Sequence, residues 1–429
     1  MKNKALTIVL CVLLCVIGVV VGFAGVTAIS LPYNEELDLN DNADVYYSPS
    51  LTSKTVSASG VQEAKAGAVS VHFLELGNKY TGDSTYIKVG ENIDILIDCG
   101  SKSDSIATVS SYLNNYVTDG ILEYVIVTHG HQDHYAGFAT TTKTASIFDL
   151  YECKNIITFT GCNQKSTSEY SQSVIDSIYG KGALHSYNAG KATYAGLYDN
   201  FLRELKAEKD NGAKVYSSKS FRETFENGKI VLDEENQISL QILNNYYDDE
   251  ENQATTENDY SVCTLITQGE KKFLFTGDLE KKGEEELVSR NSLSQVDLFK
   301  AGHHGSKTSS NDALLKVIQP KIVCVCCCAG SPEYTKTEKN QFPTVDFIER
   351  ISQYTDKVYL TSLCEENSYN SNTVQSFNGN IVVMAENKNS EIELYCSNNS
   401  TTLKDTEWFD TYRRNICTNL PASWDKSVS

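Results

Sequence analysis

The sequence predicts an α+β domain in which two β-sheets pack face to face with helices on their outer sides. Strand-like patterns come in two batches, over residues 68–98 and 229–276, and each batch is followed by alternating strand and helix spacing. Five of the seven histidines fall in two short segments, 129–134 and 303–304, each directly after an apolar strand. Strand-end loops are where catalytic groups are commonly displayed. The composition fits a folded body: of 429 residues, 40% are hydrophobic, 22% are charged and 6 are Pro, which argues against a collagen-like, disordered or multi-span membrane chain. Lys and Arg number 37 against 56 acidic residues. The net charge of −19 argues against an extended nucleic-acid or anionic-lipid footprint and leaves room for a small local basic site.

Residues 5–34 contain no charge and follow Lys2 and Lys4, so residues 1–34 read as a membrane-targeting segment about as long as a bilayer-spanning helix. Two forms remain open: a signal peptide cleaved near Val26-Thr27-Ala28, or an uncleaved N-terminal hydrophobic anchor helix, which the length favours. Either form puts the body outside the cytoplasm, as a single-pass protein of the cell membrane or as a secreted one. Leu10 and Leu14, which precede Cys11 and Cys15, argue against lipidation. Residues 35–67 are polar and read as a linker.

The body is expected over residues 68–396. A β-meander covers 68–76, 84–89 and 93–98, followed by a helix at 105–117, a strand at 122–127, a helix at 135–142 and a strand at 156–159. Helices at 169–179 and 194–209 follow, the second stopped by Asn211-Gly212. Strands are expected at 229–232, 237–243, 260–267 and 272–276. Next come helix 280–290, strand 296–299, helix 311–318, strand 321–327, helix 344–354 and strand 357–361. Strands at 374–377, 381–385 and 392–396 close the body, and 397–429 forms a C-terminal extension. Two of the thirteen cysteines lie in the hydrophobic segment, and the odd remainder cannot all pair within one molecule. Adjacent strand residues face opposite sides, so Cys326, Cys327 and Cys328 cannot converge on one metal and read as small buried hydrophobes.

In Val127-Thr128-His129-Gly130-His131-Gln132-Asp133-His134, His129 and His131 share a side of an extended loop and can ligate one ion through imidazole nitrogens. Asp133 and His134 are angled away and suit a second ion. Asp278, in Thr276-Gly277-Asp278, ends a further strand, where one carboxylate can bridge two cations roughly 3.5–4 Å apart. Ala301-Gly302-His303-His304-Gly305-Ser306 ends another.

HxHxDH, then TGD, then GHHGS resembles the motif series of the metallo-β-lactamase superfamily. The run LFTGDLE…VDLFKAGHHGSKTS is similar, more narrowly, to the extracytoplasmic hydrolase domain of the competence protein ComEC and its stand-alone secreted relatives. The resemblance spans roughly residues 68–396. It implies a four-layer αββα sandwich, two zinc ions per chain and hydrolysis of a phosphodiester or other phosphoester. It also implies His129 and His131 on the first zinc, Asp133, His134 and His303 on the second, and Asp278 bridging. Asp133 and His304 stand closest to the chemistry, His304 behind the metal or as proton donor to the leaving group. The implied substrate is a small or locally engaged anionic ester. Lactone or β-lactam hydrolysis and a non-catalytic, metal-stabilised binding module are the alternatives.

Three features depart from the pattern. The superfamily's mid-domain histidine has only His185 as a counterpart. The tight acidic turn of the first hairpin is the longer Gly77-to-Asp83 stretch, and a late substrate-facing histidine is replaced within Asn340-Gln341-Phe342-Pro343. Other residues have plain readings beside functional ones. His72 reads as structural. Asp98 reads as the acceptor that orients a ligand histidine or as a turn residue. Lys300 and Lys307 either draw an anionic substrate or are solvated. Ser306 contacts phosphate or caps a helix, Asp248 to Glu251 form a solvated loop, and Asp259 and Ser261 line the cleft.

Overall fold

The first and last strand patterns of the sequence meet in one sheet in the computed structural model, which describes residues 46–47, 65–163, 172–180, 185–186, 195–249, 251–364 and 374–425. The sheet runs in the order Tyr46–Tyr47, Ile392–Cys396, Ile381–Ala385, Val69–Phe73, Thr85–Val89, Ile93–Ile97, Ile121–Ile126, Glu152–Thr158 and Lys214–Ser217. Its meander is antiparallel, and the strands from Ile93–Ile97 onward pair in parallel. The second sheet repeats the plan. Lys229–Asp233, Ile238–Ile242, Thr264–Gln268 and Lys271–Phe275 are antiparallel neighbours; Leu298–Lys300, Ile322–Ala329 and Val358–Cys364 then join in parallel, and Val374–Ser376 closes the edge.

The two-sheet α+β architecture is the one the patterns predict, and side-chain alternation shows why it holds. Phe273, Phe275, Leu298, Ile322 and Cys324 share a core with Val71, Phe73 and Ile87 of the first sheet, and the Phe73 and Phe275 rings stand 6.3 Å apart. Their neighbours Leu274, Phe299, Val323 and Val325 point the other way, into a second core with Leu314, Leu315, Phe347 and Ile348 of the covering helices. Parallel strands buried on both faces need apolar side chains at successive positions. Cys326 joins the first core and Cys327 the second, with a register shift between Val325 and Cys328, so these thiols do diverge. No disulfide joins the cysteines of the described residues.

Several expectations change. The helix expected at 135–142 starts earlier, as Gln132–Tyr135 followed by a 3-10 turn at Ala136–Phe138, because Tyr135 must reach the Phe201 ring 5.3 Å away. Residues 257–260, partly expected as strand, are a 3-10 turn. Strand Lys214–Ser217 and helix Ser218–Thr224 escape sequence reading because each is short and polar. The C-terminal extension packs on the body: Leu403, Trp408, Phe409 and Trp424 enter the second core. Arg413, 1% exposed, lies 4.4 Å from the Trp408 ring and donates to the carbonyls of Pro343 (3.2 Å) and Gln341 (3.1 Å). No helix among the described residues is long and apolar enough to cross a membrane. The expected anchor over 1–34 lies outside the described residues.

Candidate metal centre

Three strand-end loops converge where the two sheets meet. The first leaves Ile121–Ile126 and carries His129 to His134. A Cβ on Gly130 would stand 2.3 Å from Glu257 Oε1, so a larger residue between the two histidines would have to displace that buried side chain. The second follows Lys271–Phe275; Gly277 has φ +54°, and the Asp278 N–H donates to Ser261 Oγ at 2.9 Å, which aims its carboxylate. The third follows Leu298–Lys300. His303 and His304 both have left-handed backbones, φ +48° and +54°, a conformation non-glycine residues adopt at a cost and that clusters at functional sites. The His303 N–H donates to the Gly277 carbonyl at 3.1 Å, joining this loop to the second.

Asp278 is the centre of the arrangement. Its Oδ2 lies 3.2 Å from His134 Nε2, 3.4 Å from His304 Nε2, 3.8 Å from His303 Nε2 and 3.9 Å from His129 Nε2. His304 Nε2 is also 3.6 Å from Asp133 Oδ2, and His129 Nε2 is 3.1 Å from His131 Nδ1. Ligand atoms about 2.0–2.1 Å from one tetrahedral zinc stand about 3.4 Å apart, which matches the contacts around His304. The other ring nitrogens are engaged. His134 Nδ1 donates to Asp98 Oδ2 at 2.8 Å, His304 Nδ1 to the Cys326 carbonyl at 3.0 Å, and His129 Nδ1 meets Thr128 Oγ1 at 3.1 Å. Each ring therefore turns Nε2 inward, the usual way a metal-binding imidazole is oriented. His134 Nε2, His304 Nε2 and Asp278 Oδ1 are buried and make no hydrogen bond, so the donor set fits a divalent ion such as zinc.

Asp83, His134, Asp278 and His304 form the tightest cluster, with one ligand atom of each within 4.8 Å of the others. Buried carboxylates in such number require compensating positive charge. Burial opposes charge on His134 and His304, yet the neighbouring carboxylates outweigh it and hold both imidazoles well above the usual histidine range. Burial, joined by the charge on His134, pushes His129 well below that range. Burial likewise opposes charge on Asp133 and Asp278, and the histidines hold both carboxyls below the usual range.

Lys300 neither faces a substrate nor is solvated, as the sequence suggested: it is 3% exposed and ion-paired with Asp83. Removing one member of a buried pair strands the other charge. Lys300→Met is therefore expected to lower stability by about 3–5 kcal/mol, read from chemical denaturation of the metal-free protein. A loss below about 1 kcal/mol would show that the histidines alone suffice to compensate Asp83.

The structure brings together His129, His131, Asp133, His134 and Asp278, and both late histidines face Asp278 Oδ2, His304 Nε2 at 3.4 Å and His303 Nε2 at 3.8 Å. His304 is 1% exposed and inside the four-residue cluster, so the structure adds it to the histidines around Asp278. His303, like His129 and His131, lies beside that cluster, its Nδ1 facing Thr308 Oγ1 at 3.1 Å and Asn258 at 3.4 Å. Asp98 orients His134. His72 is structural, bonded to Tyr112 and Ser70 and pushed down to about 3 by burial. Ser306 bonds Thr308 and does not cap the helix that follows, whose cap position Asn311 occupies. Asp248 is buried against Ser218 and Arg222 instead of solvated. Ser261 holds Asp278, and Asp259 accepts the Glu280 N–H at 3.1 Å. The His185 backbone pairs with Gly161; its side chain lies outside the described residues. Asp83 enters the site from the first hairpin, at the end of the Gly77-to-Asp83 stretch, where the family resemblance places the turn's acid. Tyr334, whose hydroxyl donates to Asp133 Oδ2 at 3.1 Å, had no signal in the sequence.

The sequence pattern of the Metallo-beta-lactamase superfamily matches residues 77–147 and 248–329, which contain every residue of the cluster. Recombination protein 2 of Haemophilus influenzae is 30% identical over 107 residues, 25% of this chain and 12% of that protein. ComE operon protein 3 of Bacillus subtilis is 34% identical over 70 residues, 16% of this chain and 9% of that protein. The match thus spans about a tenth of each relative's length. Among solved structures, the metallo-beta-lactamase fold protein YhfI from Bacillus subtilis aligns over 74% of this chain and 100% of its own, at 10% identity and a TM-score of 0.35.

Proposed function

We propose that this chain, which carries a metallo-β-lactamase superfamily domain, hydrolyses phosphoesters with two zinc ions, phosphodiesters foremost. The observation that carries the reading is the position of Asp278 Oδ2 within 3.9 Å of imidazole nitrogens from both histidine segments. His129, His131 and Asp278 would hold one ion; Asp133, His134, His304 and Asp278 the other. When bound, the ions supply Lewis acidity toward a phosphoryl oxygen and lower the pKa of a water toward about 7.

The chain's own residues supply orientation. Asp98, fixed by the Thr128 N–H and hydroxyl at 2.7 Å each, holds the His134 ring so that Nε2 faces Asp278. His303, at the more open side, turns Nε2 toward Asp278 Oδ2 at 3.8 Å, and burial holds its imidazole below the usual histidine range, so it would offer the second ion a further neutral donor. The substrate is a small or locally engaged anionic ester, in keeping with the −19 charge of the chain. The charge-free run over 5–34 supports a membrane-held or secreted, extracytoplasmic body.

The test is metal analysis with a substrate screen of the zinc-loaded protein across phosphodiesters, phosphomonoesters, phosphocholine esters, lactones and β-lactams. Two zinc ions per chain with fastest turnover of a phosphodiester is the expected result. Faster turnover of a lactone or β-lactam would replace the reading, and one tightly held zinc with no substrate cleaved would overturn catalysis altogether.

A further inference from the structure

The segment between strand Ile322–Ala329 and helix Val345–Ile351 crosses from the second sheet to the first hairpin. Ser331 Oγ donates to the Lys79 carbonyl at 3.2 Å, and the Thr81 N–H donates to Glu333 Oε2 at 2.8 Å. The crossing sets Tyr334 over the metal centre, its hydroxyl on Asp133 and its ring 5.5 Å from Phe342. Phe342 in turn stands 5.7 Å from His303 and 6.0 Å from His304, and Arg413 holds the carbonyls on either side of it. Phe342 neither ligates a metal nor moves a proton, so what it offers beside carboxylates and imidazoles is a flat apolar face. Tyr334 is 59% exposed, one of few large hydrophobic side chains so open among the described residues.

We propose that Tyr334 and Phe342 form a stacking shelf for a planar aromatic ring, a nucleobase or a simple aryl group, carried by the ester cleaved at the adjoining centre. The proposal rests on the phosphoester reading and adds that the site prefers an aromatic substituent to an alkyl one. Ring-on-ring stacking accounts for about a tenfold preference. The hydroxyl of Tyr334 serves to place its ring and takes no part in the preference.

The experiment measures calorimetric binding of methylphosphonate, phenylphosphonate and a thymidine 5′-phosphonate to the zinc-loaded full chain in detergent, beside Phe342→Leu, Tyr334→Ala and Tyr334→Phe. Phenyl- or thymidine phosphonate is expected to bind about tenfold tighter than methylphosphonate. The ratio should fall to about two or less in Phe342→Leu and Tyr334→Ala and persist in Tyr334→Phe, with methylphosphonate affinity unchanged. The tighter of the two aromatic ligands identifies the ring source, and either order supports the shelf. Equal binding of all three, or a ratio unmoved by Phe342→Leu and Tyr334→Ala, overturns the shelf and leaves the phosphoester reading in place. Binding of none of them overturns both.

Discussion

Asp278→Asn is expected to reduce phosphodiester turnover by roughly 10³-fold, about 4 kcal/mol of transition-state stabilisation, while the fold survives. Asparagine preserves the shape of the side chain, and the Asp278 N–H bond to Ser261 Oγ does not depend on the carboxylate. What changes is charge. Oδ2 faces four imidazole nitrogens within 3.9 Å, and an amide there turns either a neutral oxygen or an N–H toward them. A single carboxylate shared by two sites also makes their occupancies fall together. Metal analysis should therefore show fewer than two zinc ions per chain, with an unchanged far-ultraviolet dichroism spectrum. Two bound ions and near-native turnover in this variant would remove Asp278 from the centre of the mechanism.

His304→Ala and His303→Ala should fail in different ways. Loss of His304 opens the buried corner between Asp133, His134 and Asp278, where its Nε2 makes no hydrogen bond, so one of two zinc ions should be lost. His303 stands at the more open side, its Nε2 3.8 Å from Asp278 Oδ2, so His303→Ala should weaken zinc binding less than His304→Ala does. Loss of an ion from His303→Ala instead, with His304→Ala fully loaded, would restore the order that the family resemblance implies.

The pair His303 and His304 marks the limit of sequence reading. HxHxDH is legible because its donors span only six residues just after one strand end, where local geometry alone keeps them close. GHHG is equally visible as a site, but how its two rings turn depends on two consecutive left-handed residues and on the Gly277 carbonyl that receives the His303 N–H. No pattern in the sequence reports a positive φ at histidine. Lys300 shows the same limit from the other direction. It sits between an apolar strand and a histidine pair, a place that reads as exposed until Asp83, 217 positions earlier, arrives to pair with it.

By itself the sequence determined the two-sheet α+β class, through strand batches that each bury apolar side chains, and the candidate metal-binding residues, through their place at strand ends. Hydrophobic periodicity and loop-local motifs are short-range properties, and a linear reading retains them. Only the tertiary structure decided that the first and last strands share a sheet, that Asp83 and Lys300 close the base of the site, that His303 and His304 both turn Nε2 toward Asp278, and that Tyr334 and Phe342 overhang it. Those contacts join residues far apart in the chain. They depend on how the two sheets face each other, a long-range outcome of burying both apolar surfaces at once.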